Sequence, residues 1–246
     1  MKKILALGAL VSLGMSSAAL ADGALADNSA QGVQGGAYIG GGLGIGGMNT
    51  PKSYLPLGKG VANLKQSRKL RSGVTYRVDA GYLFPVTSHL LLGAEVGYTG
   101  YPQNKYNQDG DFWLKTKVHT RLNYSGHMFD VLGVAKYYFG NHFNVFAKAG
   151  AADVYQKTSF NMYETGDKQQ VVDSIAFTKK VNKILPEAAV GVGYDFTPAI
   201  GVNVTYSHVF GTKPKFVLPN SGNKAAFTKQ IIGTAGKVAS INTVMA

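Results

Sequence analysis

From Val74 to Phe84 the chain alternates without a break. Val74, Tyr76, Val78, Ala80, Tyr82 and Phe84 share one wholly apolar face, while Thr75, Arg77 and Asp79 lie opposite. Period two is the signature of a strand, because a helix with 3.6 residues per turn would mix these two sets. A chain that repeats this pattern has few folds open to it.

The pattern recurs on both sides of that segment. Leu90, Leu92, Ala94, Val96 and Tyr98 oppose Glu95 and Thr99; Phe129, Val131, Gly133, Ala135, Tyr137 and Phe139 oppose Asp130, Lys136 and Tyr138. Phe143, Val145, Ala147, Ala149 and Ala151 oppose Asn144 and Lys148; Ala188, Val190, Val192, Tyr194 and Phe196 oppose Glu187 and Asp195; Ile200, Val202, Val204 and Tyr206 oppose Asn203, Thr205 and Ser207. The glycine-rich stretch at 35–47 is the first of the series, with Ala37, Ile39, Leu43 and Ile45 on one face and Tyr38 with glycines on the other. Within it Gly42, Gly44 and Gly47 satisfy G-x-G-x-x-G, but no helix follows and positions 65–75 carry Lys65, Arg68, Lys69 and Arg71 without an acid for a ribose. These glycines instead leave room for neighbours inside a curved sheet.

Connections between the strands alternate in length. Short ones lie at 85–89, 140–142 and 197–199, and long ones at about 49–72, 102–123, 156–184 and 211–238. Short turns at one end and long loops at the other are the layout of an outer-membrane barrel, and an eighth strand is then required after residue 238. A soluble sandwich or lipocalin-like barrel would put the apolar face inside. Against that, Tyr82, Phe84, Tyr137, Phe139, Phe143, Tyr194 and Phe196 cluster near the short turns as an interfacial girdle, and the opposite face is small and polar with charges of both signs. The reading is an all-β, eight-stranded antiparallel up-and-down transmembrane β-barrel with short periplasmic turns and long extracellular loops.

The ends bound the compartment. Lys2 and Lys3, an apolar run from Ile4 to Met15 and the small residues Ala19-Leu20-Ala21 read as a secretory signal peptide over 1–21. A second cleavage site, Ala24-Leu25-Ala26, leaves the mature start at Asp22 or Asp27. Residues 22–35 then form a periplasmic N-terminal segment and 36–246 the barrel. Cysteine is absent, so no disulfide staples the exported fold.

The signal peptide, the glycine-rich first strand, the segment Val74 to Phe84 and the run Phe129-Asp130-Val131-Leu132-Gly133-Val134-Ala135-Lys136-Tyr137-Tyr138-Phe139 together resemble the small outer-membrane β-barrel proteins. That group includes the OmpA transmembrane domain and opacity-type surface adhesins. The resemblance implies a Gram-negative outer membrane, both termini in the periplasm and four surface loops. Such barrels usually close on an aromatic residue, whereas this chain ends Asn242-Thr243-Val244-Met245-Ala246, so the expectation is a last strand cut short. No peptidoglycan-binding domain is expected after the barrel, so an anchoring role like that of full OmpA is not expected either.

Two sets of residues are candidates for function. Counting from the short turns puts Asp79, Glu95, Lys136 and Lys148 at one height inside, joined by Arg77 above and by Asp130 and Glu187 higher still, as a lumenal salt-bridge layer. A one-residue slip would turn these charges to lipid at about 2–4 kcal/mol for a Lys or Arg near the midplane. The second set is the basic loops. Loop one holds Lys52, Lys59, Lys65, Arg68, Lys69 and Arg71, and loop four Lys213, Lys215, Lys224, Lys229 and Lys237, neither with an acid; the whole chain is +12.

An eight-stranded barrel is filled by side chains, so function is expected in the loops. They are expected to bind anionic partners: lipopolysaccharide, and sulfated host glycans in an adhesin-like role. A narrow ion channel gated by the lumenal charges is the alternative. An outer-membrane lipid-modifying enzyme is a weaker one, since Ser125 and His127 share a face in Ser-x-His order, unlike the His-x-Ser of deacylase-like barrels, and the adjacent Ser207 and His208 point to opposite faces. The five histidines are scattered, so no metal or cofactor is expected, nucleic acid is excluded by compartment, and a monomer suffices. Ala176-Phe177-Thr178-Lys179 is echoed by Ala226-Phe227-Thr228-Lys229, read as a shared contact element.

Overall fold

The computed structural model describes residues 35–48, 62–67, 73–111, 117–140, 142–165, 171–197, 199–212 and 237–246. The strands are β1 (Gly36–Met48), β2 (Ala62–Ser67), β3 (Gly73–Pro85), β4 (Leu90–Asp111), β5 (Lys117–Phe139), β6 (Phe143–Thr165), β7 (Val171–Thr197), β8 (Ile200–Val209) and β9 (Ile241–Met245). All except β2 follow one another around a closed antiparallel ring, β1-β3-β4-β5-β6-β7-β8-β9 and back to β1. The eight-stranded closed architecture is therefore as the alternation requires. β9 is the strand required after residue 238, and reciprocal hydrogen bonds between Leu43 and Ala246 (2.9 and 3.0 Å) tie it to β1.

Side-chain direction follows the alternation. On β5, Phe129 and Val131 are 59% and 62% exposed, while Asp130 and Leu132 between them are 2% and 1% exposed. A soluble protein would bury the first pair and solvate the second. Here the apolar face is outside and the charged face is inside, which suits lipid around the ring.

Aromatic side chains bound that outer surface at both ends. Near the short turns Tyr82 meets Phe84 (5.6 Å between ring centroids), Tyr137 meets Phe139 (5.0 Å) and Tyr194 meets Phe196 (5.3 Å). At the other end Tyr76 meets Tyr98 (6.1 Å), Tyr98 meets Phe129 (4.8 Å) and His127 stacks on Tyr155 (4.8 Å). Phe129 and Tyr137 are eight steps apart on one strand, roughly 27 Å of tilted chain, comparable with an apolar band about 25 Å tall.

The long connections are shorter than the sequence suggests. Strands β4 to β7 run 22, 23, 23 and 27 residues, about twice what a membrane crossing needs. The expected loops at 102–123 and 156–184 are largely strand, linked by 112–116 and 166–170, and β2 within loop one pairs with the distal part of β4. Alternation in hydrophobicity stops where lipid stops, so the polar continuation of these strands carries no pattern to read. At the other end Gly140 turns the chain with φ 74°, a conformation glycine adopts without a Cβ clash.

Candidate functional site

The inward face is stacked in three levels. In the middle, Arg77 on β3 donates Nε to Asp79 (3.1 Å), Nη1 to Asp130 (2.7 Å) and Thr99 (3.0 Å), and Nη2 to Asp130 (2.7 Å) and Glu95 (2.9 Å). Lys148 on β6 donates to the other Glu95 oxygen at 2.5 Å, and the Tyr38 hydroxyl donates to that same oxygen at 2.6 Å. Planar guanidinium and carboxylate groups match in fork geometry, which makes such paired bonds strong and directional. Space for the fork comes from a missing side chain: a Cβ at Gly97 on β4 would collide with the Arg77 guanidinium.

Toward the short turns lies a second polar group. Asp195 accepts from Tyr138 (2.6 Å), Lys136 (3.1 Å) and Asn144 (3.1 Å) through one carboxylate oxygen. Leu83, Leu91, Val134 and Tyr138 form an apolar cluster at this same end, with Tyr38 against them. Toward the long connections Met48, Tyr101, Tyr124, Met128, Val154, Phe160, Val209, Val238, Ala239 and Ile241 form an apolar cluster. Gln156, fully buried, pins 237–239 into it by donating to the Lys237 carbonyl (3.3 Å) and accepting from the Ala239 amide (3.1 Å).

One expectation needs correction. Lys136 does not share a level with Asp79, Glu95 and Lys148; it pairs with Asp195. Register explains this, since Lys136 stands opposite Leu91 while Glu95 stands opposite Leu132, four residues farther from the short turns. Counting residues from each turn assumes level strands, whereas barrel strands tilt and stagger. Arg77, Asp79, Glu95, Asp130 and Lys148 form one network, and Glu187 is buried beside it without an ion-pair partner among the described residues. Asp195, Tyr38 and Gln156 were not singled out as site residues, although inward parity marks all three.

Of the basic loop residues, Lys52, Lys59, Arg68, Lys69, Arg71, Lys213, Lys215, Lys224 and Lys229 lie outside the described residues. Lys65 is on β2, and Lys237 is exposed at the edge of the apolar cluster. The outer face of the extended sheet carries further cations. Lys157 on β6 is directly opposite Lys180 on β7 and both are exposed. Arg121 on β5 donates to the Tyr163 hydroxyl (3.2 Å) and lies 5.5 Å from its ring centroid, with His119 stacked on that ring at 4.8 Å.

The histidine candidates meet partners other than the serines they were paired with. His127 stacks on Tyr155, His208 bonds Asn242 (2.6 Å), and Ser207 lies 2.6 Å from the Thr243 hydroxyl. Of the repeated tetrapeptide, Phe177 stacks on Phe160 (5.3 Å) and Thr178 meets Ser159 (3.2 Å) on β7, while 226–229 lie outside the described residues, as do 1–34 with the signal-peptide reading.

Comparison with known proteins agrees with this geometry. A protein of uncharacterized function from Coxiella burnetii (strain RSA 493 / Nine Mile phase I) is 31% identical over 163 residues, which is 61% of this chain and 61% of that protein. The aligned part thus spans less than two thirds of either chain. The model of the outer membrane protein beta-barrel domain matches residues 7–230, and the chain belongs to that family.

Proposed function

We propose that this outer-membrane barrel is a surface protein that binds anionic partners through the basic side of its extended strands and loops, with lipopolysaccharide the first of them. The long-connection end is the cell-surface end in this reading. The observation that carries it is the Lys157–Lys180 pair. Like charges directly opposite across two strands repel, and no carboxylate pairs with either among the described residues; the nearest acid on that face, Asp153, accepts instead from Asn182 (3.1 Å). An anion between the two ammonium groups removes the repulsion. Their place is suitable, because Lys157 is two residues beyond Tyr155 of the outer aromatic girdle, the height of phosphorylated headgroups.

The filled interior supports a binding role rather than a pore. Loop residues Lys65, Arg68, Lys69 and Arg71 extend the same charge toward sulfated host glycans, an adhesin-like use of the same surface. The ring closes within one chain, so it has no need of a second copy.

The test is binding of the refolded chain to purified lipopolysaccharide and to heparin across a salt series. Affinity for lipopolysaccharide should fall with salt and fall further in a Lys157→Ala/Lys180→Ala variant. Loss of heparin binding on neutralising Lys65, Arg68, Lys69 and Arg71 assigns the glycan role to loop one. Binding to neither ligand refutes the electrostatic reading.

A further inference from the structure

Glu187 on β7 is 3% exposed, and its Oε2 atom has no hydrogen-bond partner among the described residues. The cations near it are directed at other groups. All five N–H donors of Arg77 are directed at Asp79, Thr99, Asp130 and Glu95, and Lys148 is directed at Glu95. Among the described residues, Asp79, Glu95 and Asp130 take up Arg77 and Lys148, and no ion pair reaches Glu187. A buried carboxylate without a compensating positive charge is strongly unfavourable.

The wall beside Glu187 supplies neutral oxygens. Glu187 stands opposite Val209 on β8, and Ser207 is the next inward residue of that strand. The Ser207 hydroxyl is 2.6 Å from that of Thr243 on β9. Thr243 stands opposite Gly46 on β1, and a Cβ at Gly46 would meet both the Thr75 hydroxyl of β3 and the Thr243 methyl group. Thr75 is fully buried, and its hydroxyl also has no partner among the described residues. One carboxylate and three hydroxyls therefore line an arc from β7 to β3, and its two end atoms are unsatisfied.

We infer that this arc binds a small monovalent cation, with sodium as the fitting species. Oxygen-only ligands select hard ions. A single carboxylate matches a single positive charge, and among the described residues no three acidic, histidine or cysteine side chains converge as a divalent or transition metal would require. The ion neutralises Glu187 and gives the Thr75 hydroxyl a partner.

The full chain, refolded in sodium chloride or in N-methyl-D-glucamine chloride at equal ionic strength and mildly alkaline pH, tests this without requiring the ion to cross the filled lumen. A higher, saturable unfolding midpoint in sodium is expected for the wild type, with broadening of the sodium NMR line. Glu187→Gln abolishes the sodium dependence, because ligand charge governs affinity in such sites. Thr75→Val, close in shape to the original, raises the half-saturating sodium concentration several-fold and decides the matter if Glu187→Gln does not refold. Equal wild-type midpoints in the two salts with an unbroadened sodium line overturn the proposal and leave a proton on Glu187.

Discussion

Arg77 and Asp130 are joined by two parallel hydrogen bonds of 2.7 Å each, Nη1 to Oδ2 and Nη2 to Oδ1, across the inside of the barrel from β3 to β5. The pair spans the intervening β4, and Glu95 on that strand takes a third bond from the same guanidinium. One side chain thus locks three strands in register.

Removing that side chain should be costly. Arg77→Ala leaves Asp79, Glu95 and Asp130 buried with only Lys148 nearby, and truncating one partner of a buried ion pair costs about 3–5 kcal/mol. The prediction is a loss of that size in equilibrium urea unfolding from lipid bilayers. An unchanged midpoint would mean that water reaches the network.

Breaking the polar levels should not open a pore. Lys136 and Lys148 serve different carboxylates, Asp195 and Glu95, and the apolar cluster around Met128, Tyr124 and Val238 closes the lumen beyond both. Substituting Lys136 and Lys148 together is predicted to leave single-channel conductance in planar bilayers at the wild-type level. A clear rise would show that the charged levels are the only barrier and would favour the gated-channel alternative.

The cork at the long-connection end rests on Gln156. Gln156→Leu removes both bonds to 237–239 and strands the buried Ala239 amide, a loss of about 1–3 kcal/mol. Loosening by about 1.4 kcal/mol corresponds to tenfold in population, so trypsin cleavage after Lys237 in the folded barrel should speed up by about that factor. Equal cleavage rates would contradict the assigned role.

The lipid-facing surface makes a separate prediction. Val131→Arg places a charge near the middle of the apolar band and should destabilise the barrel by about 2–4 kcal/mol. The adjacent Leu132→Ala should cost a similar amount, about 2–5 kcal/mol, for a different reason, the cavity left in the packed interior. Only the first penalty should fall when the bilayer is replaced by a short-chain detergent micelle.

How much was legible in the sequence depends on what each residue's neighbours report. Asp130 and Val131 disclose their directions because a strand alternates strictly and the two environments differ sharply in polarity. Lys136 discloses its face in the same way but not its partner, since Asp195 lies about 60 residues away and is brought near by barrel stagger. Beyond Tyr101 on β4 and Tyr155 on β6 water replaces lipid outside, so Lys157, Ser159 and Asn161 look like loop although they are paired strand. The Lys157–Lys180 juxtaposition was therefore invisible, while the charge of the loops was plain from composition alone.

The most direct test of the inside-out assignment uses the absence of cysteine from the chain. Val131→Cys and Val190→Cys, each carrying a fluorescent label and reconstituted in vesicles, should be quenched by lipids bearing quenchers on their acyl chains and protected from aqueous iodide, while Leu132→Cys in the folded barrel should resist labelling. Iodide quenching at 131 and 190 without quenching by the lipids would place the apolar face in water and contradict the account.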